Sequence, residues 1–227
     1  MASTPTGHPS TTRAAPALVA LAPTVMLIAF LVHPFIAILP DAEGVAAAVE
    51  AGTSRWAVAH LLTNIGSALV AVAFVAIATH LRAAGDDRFS RIGLPLVVFG
   101  SVLYGFLPGL EFAPLAAVET GGDVVATQAA LEPWFVPMFV TGVVTFAIGV
   151  FVLVGAIRAT RILGAGTTRV VGGALVLLAV SRAVPIGVVQ FHLQAALGVL
   201  ALWPIAGAMW RRSGSTASVR SQPSPAI

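Results

Sequence analysis

Six blocks of almost unbroken apolar residues, each roughly 19 to 26 residues long, limit what this chain can fold into. A bilayer core of ~30 Å takes about 20 helical residues at ~1.5 Å of rise each. The blocks therefore predict six transmembrane helices, over 17–39, 56–82, 92–111, 134–158, 169–186 and 190–210. The last two share one nearly continuous tract. Solid apolar runs, as opposed to alternating ones, exclude a membrane barrel, and a lipid-exposed backbone must satisfy its own hydrogen bonds. The predicted fold class is an all-α, polytopic membrane helical bundle with the lipid bilayer as its main partner. Composition agrees. Only 9% of the 227 residues are charged, against about 25% in soluble domains, so a water-facing surface could hardly be covered. Gly100, Gly142 and Gly149 lie inside the blocks, and Gly105 and Gly109 form a GxxxG spacing, which predicts close helix contacts.

Several chemistries are excluded. The chain has no cysteine, which removes disulfides, thiol catalysis and iron–sulfur ligation. All twelve basic residues are arginine, so no lysine Schiff base can form. The high isoelectric point reflects scattered loop arginines, without the basic, aromatic-interleaved face that would bind nucleic acid. No GxSxG elbow or phosphate-binding loop is present. The abundance of Ala, Gly, Val and Arg suits a GC-rich bacterial genome.

Arginine placement predicts orientation. Arg13, Arg82, Arg88, Arg91, Arg158, Arg161, Arg169, Arg211, Arg212 and Arg220 fall on one side of six crossings, opposed only by Asp86 and Asp87. The other side carries Asp41, Glu43, Glu50, Glu111, Glu119, Asp123 and Glu132, with Arg55 and Arg182. Both termini are then cytoplasmic, in a bacterial inner membrane. The first block exceeds a 7–15-residue signal-peptide core and reads as a retained helix. Residues 1–15 and 213–227 are rich in Ser, Thr and Pro and read as disordered tails.

A shift of 78 residues lays Trp56 on Trp134, Thr63 on Thr141, Arg91 on Arg169 and Gly109 on Gly187. Loops fall on loops, which makes an in–out–in hairpin repeat a candidate plan; two similar hairpins imposed by the bilayer would give the same pattern. The loops 40–54 and 112–132 are long enough to fold back as lids. Within the second, Val124–Leu131 after Asp123 reads as a short capped helix.

Polar residues within the blocks gather at the outer, acidic end. They are His33, His60, Asn64, Tyr104, Glu111, Arg182 and His192, and together they form the candidate ligand-binding site. His80 alone stands near the inner end. Arg182 is always charged, and facing lipid it would cost ~2.5–3.5 kcal/mol. Glu111 is the one acid within a block, so an Arg182–Glu111 pair is expected, either as a structural ion pair or as an anchor for a ligand. The histidines suggest two alternatives: axial ligands of a b-type haem, or a divalent metal site shared with Glu111 in a membrane oxidoreductase. The bland alternative is that each histidine bonds to backbone or water at the interface. A small transporter is a third reading, although it needs polar residues throughout the bundle. Trp56, Trp134, Trp203 and Trp210 lie near block edges and read as an interfacial belt.

Six helices on an in–out–in plan, Glu111 within LPGLEFAP and the passage TRILGAGTTRVVGGAL resemble the uncharacterised six-helix integral membrane proteins of bacteria. The likeness spans most of residues 16–210. It implies the architecture and no activity. Where those proteins place an arginine beside the acidic residue of the third helix, this chain reads LPGLE.

Overall fold

The computed structural model describes residues 11–220, and among them there is no β-strand. The helices are α1 (Thr11–Val32), α2 (Ala42–Ala51), α3 (Thr53–Ala83), α4 (Arg88–Leu110), α5 (Phe112–Thr120), α6 (Val124–Thr160), α7 (Ala165–Ser181) and α8 (Gln194–Arg220). A π-helical turn, Val188–Leu193, leads into α8. The tails expected to be disordered lie outside the described residues at 1–10 and 221–227; their inner parts belong to α1 and α8.

Among the described residues, five helical stretches are long and apolar enough to cross a membrane: Arg13–Val32, Thr53–Ala83, Arg88–Thr120, Val124–Thr160 and Val188–Arg212. The remaining expected crossing, 169–186, corresponds to α7, a shorter apolar helix of 17 residues.

The long helices form a closed ring in chain order. α1 packs on α3, α3 on α4, α4 on α6, α6 on α7 and α7 on α8, and α8 returns to α1. The short turns between α3 and α4 and between α6 and α7 impose part of this order, because a chain that turns within a few residues must pack antiparallel on the helix it has just left. The inside of the ring is apolar, with Phe30, Phe146, Val150, Leu175 and Ile205 buried. The outside is apolar too: Leu31, Phe35, Phe106 and Leu177 are each more than half exposed. A surface as oily as the core suits lipid and cannot be driven together by water, so packing must come from close backbone approach. Gly93 and Gly100 of α4 supply it against Gly142 and Gly149 of α6, each pair seven residues apart on its helix. The Gly105–Gly109 spacing does not serve as a helix seam, since Gly109 has open space around it.

Two expectations about the acidic-end loops change. Asp123 caps a helix as anticipated, its Oδ1 accepting from the Ala126 amide at 2.9 Å. That helix does not stop near Leu131; it runs through Pro133 and Pro137 as a single 37-residue α6. The 78-residue overlay matches at the arginine-rich turns, where the end of α3 maps onto the end of α6 and the start of α4 onto the start of α7, each within one residue. It lapses at the acidic end, where α2 and α3 are separate but their counterparts are fused.

The α3–α4 turn is held by Asp86. Its carboxylate accepts from Ser90 Oγ at 2.6 Å, Ser90 N at 2.7 Å and Phe89 N at 3.2 Å. Burial pushes its pKa up, but these bonds and the charge of Arg82 outweigh it and hold the group below the usual aspartate value of 3.8. A depressed folded-state pKa means stability that is fully present above pH 3.8 and is lost as the pH falls through the lower folded value. Asp86→Ala is expected to lower the thermal midpoint at neutral pH and to shrink the acid-induced loss, measured by circular dichroism in detergent between neutral pH and ~pH 2. An unchanged acid limb would show that the turn contributes nothing.

Candidate functional site

A cavity of about 340 Å³ opens between the acidic-end loops and the tops of α1, α3, α4 and α6. His33, His60, Tyr104 and Glu111, four of the seven residues expected to gather at this end, line it. The folded-back loops contribute Ala42 and Val45 of α2 and Gln128 of α6, so the expected lids do cover the cluster.

His33 follows the last turn of α1 and His60 lies two turns into α3. Their ring centroids are 5.0 Å apart. His33 Nδ1 is 2.7 Å from the Pro34 carbonyl oxygen, and His60 Nδ1 is 2.8 Å from that of Trp56. A carbonyl can only accept, so each Nδ1 carries the hydrogen and each neutral ring keeps its lone pair on Nε2. Trp56 stacks on His60 at 4.1 Å, and its Nε1–H donates to the Glu111 carbonyl at 2.8 Å. Phe191 packs on the other side of His33 at 4.6 Å. Glu111 joins α4 to α5. Its Oε1 accepts from the Gln128 amide at 3.1 Å, while Oε2 is buried without a hydrogen-bond partner.

The remaining expected residues lie elsewhere. Arg182 does not pair with Glu111. Its guanidinium lies 3.6 Å from the centroid of the Phe146 ring and 4.4 Å from that of Tyr104, and its Nε and Nη1 have no hydrogen-bond partner. The expected pair required α4 and α7 to be neighbours, and in the ring α6 packs between them. Desolvated cation–π contacts of ~2 kcal/mol or more replace the missing anion in part, and a void of about 30 Å³ lies alongside. Asn64 is partly exposed and off the cavity wall. His192 is partly buried and also off the wall. The wide π turn alters the angular register of Val188–Leu193, so Gln190 and Phe191 face the cavity in its place. Gly187, just before this turn, closes against the segment after α1. Its amide donates to the Ala37 carbonyl at 3.0 Å, and a Cβ there would collide with the Ile36 carbonyl oxygen.

Trp56 was expected in the interfacial belt and is instead 1% exposed within the wall, whereas Trp134, Trp203 and Trp210 remain exposed. Gln190 stands out in the sequence beside His192 but is not part of the expected site, and sequence reasoning missed Gln128, an amide in the short helix after Asp123. It missed Arg55 as well, which donates to the carbonyls of Val32 at 2.7 Å and His33 at 3.2 Å, and so satisfies the open end of α1. Among the described residues, no group of three or more His, Cys, Asp or Glu side chains could hold a metal ion. The two cavity imidazoles touch each other and the Trp56 ring, which leaves no gap for a porphyrin plane between them.

Scans against family models, curated proteins and solved structures return no match to this chain.

Proposed function

We propose that this chain is a six-crossing protein of a bacterial cytoplasmic membrane, with both termini inside, that binds a small ligand in the cavity at its non-cytoplasmic end. The observation that carries the reading is the cavity itself. Its volume of about 340 Å³ falls within the ~300–1,000 Å³ of small-molecule sites, and its apolar wall is broken by a few converging polar groups, His33, His60, Glu111, Gln128 and Gln190. A sixth crossing by α7 is supported by its place in the ring and its 17 residues, the lower end of the ~17–25 that span a bilayer. Orientation is supported by the ten arginines on the opposite side. The likeness to uncharacterised six-helix bacterial proteins belongs to the same reading and adds no activity to it.

Binding is favoured over transport. Towards the arginine-rich end the ring is filled by Phe74, Ile77, Leu81, Leu153 and Ile157, which offer a polar solute no path. The test is a filled cavity. Ala129→Trp is expected to abolish the small molecule that is released on denaturing protein purified from its native membrane, read by mass spectrometry. The thermal midpoint should change little. The same molecule at the same occupancy in both proteins would overturn the reading.

A further inference from the structure

We infer that the cavity takes an apolar organic cation, with Glu111 as its counter-ion. This deepens the ligand-binding reading and rests on it. Three carboxylate residues line the cavity, Asp41 and Glu132 exposed and Glu111 deep, and no arginine does. The two nearest guanidinium groups are occupied elsewhere. Arg55 is bonded to the carbonyls of Val32 and His33, and Arg182 lies against the rings of Tyr104 and Phe146. Glu111 is 8% exposed, and its Oε2 lacks any partner. A buried carboxylate oxygen left unsatisfied is costly, and at low effective dielectric a unit charge nearby is worth several times its value in water. A positive ligand in the cavity would stabilise the buried carboxylate through space, although Oε2 itself is closed off from the cavity, whereas a negative one would meet repulsion from all three acids.

The wall suits the rest of such a molecule. Trp56 and Phe135 present aromatic surface, which attracts cations through the ring quadrupole and accommodates apolar substituents. The Nε2 lone pairs of His33 and His60 can accept from N–H groups and offer no donor to an anion while the rings are neutral. Protonated hydrophobic amines can use both features; quaternary and phosphonium cations, which carry no N–H, use the carboxylate charge and the aromatic wall alone.

The test compares tetraphenylphosphonium with tetraphenylborate, nearly equal in shape and opposite in charge, by isothermal titration calorimetry on the full chain in detergent. Tetraphenylphosphonium is expected to bind at least about tenfold tighter, a difference of ~1.4 kcal/mol. Glu111→Gln should bring the two affinities close to equality. If Glu111→Gln does not run as a folded species on size exclusion, Glu132→Gln at the exposed rim replaces it, with an expected two- to threefold loss of phosphonium affinity alone. Tetraphenylborate binding as tightly as the cation, with both abolished by Ala129→Trp, would sink the cation inference and leave the ligand-binding reading standing. Binding of either ion that neither Ala129→Trp nor Glu111→Gln changes would be partition into detergent, and both readings would fall.

Discussion

Gly100→Leu is expected to destabilise the bundle by at least ~3 kcal/mol, the upper part of the range for overpacked cores. A Cβ at Gly100 would stand 2.5 Å from the Phe146 amide nitrogen, 2.7 Å from the Gly142 carbonyl oxygen and 2.8 Å from the Phe146 Cα. The same is true in reverse at Gly149, where it would meet the Val97 nitrogen at 2.6 Å and the Gly93 carbonyl oxygen at 2.8 Å. These obstacles are helix backbone, which cannot rotate aside as a side-chain tip can. The helices must separate, and Val97, Phe146 and Val150 then lose contacts along the whole seam. In lipid no hydrophobic effect draws them back, because lipid tails solvate the exposed side chains as well as the core does. The internal control is Gly109→Leu on the same helix, where nothing lies within 4 Å; it is expected to change stability by no more than ~0.5 kcal/mol. Thermal unfolding in detergent, followed by circular dichroism, separates the two. Equal midpoints for both variants would mean that α4 and α6 are not held by backbone approach.

Trp56→Ala should cost ~3–5 kcal/mol, as expected for removing a large buried aromatic side chain. Trp56 packs with Ile36, Val45, Val49 and Leu115, and so ties α2, α3, α5 and the segment after α1 into one cluster. Its loss also strips the Glu111 carbonyl of its donor and His60 of its stacking partner. Trp56→Phe keeps the packing and loses the N–H, so about 1 kcal/mol is expected, the usual net worth of a hydrogen bond. Trp134→Ala, at a residue 71% exposed, should barely move the midpoint. A Trp56→Ala protein as stable as Trp134→Ala would show that the cavity wall is not part of the fold. If Trp56→Ala folds at low temperature, near-ultraviolet circular dichroism should show the remaining tryptophan signal reduced in asymmetry.

Much of the cavity was legible in the sequence for a simple reason. Depth along a membrane helix follows from counting residues at a fixed rise, so His33, His60, Tyr104 and Glu111 could be placed in one half of the bundle without coordinates. Angle about the helix axis, and the identity of the neighbour, could not be counted. Asn64 lies in the same half and stands off the wall. His192 was placed in the cluster by depth, as the start of the sixth helix, but that segment forms a π turn whose wider register gives its place to Gln190 and Phe191. Trp56 and Trp134 occupy equivalent positions in the 78-residue overlay, yet one is walled in by α2 and α5 and the other faces outward. Nothing local distinguishes them.

The amino-acid sequence by itself determined the solvent, the helical class and the side of the bundle on which polar groups collect, because these depend on apolar run length and on the distribution of charge, both of which are properties of the chain read in order. Which helices touch was decided only by the tertiary structure. Glycines seven apart on α4 and α6 bring those two backbones together, the ring closes through α8 onto α1, and α6 thereby comes between Arg182 and Glu111. An ion pair needs its partners within a few ångströms, and shared depth supplies only one of the three coordinates that fix a distance. Arg182 therefore rests on aromatic rings, and the Glu111 carboxylate lines the cavity without it.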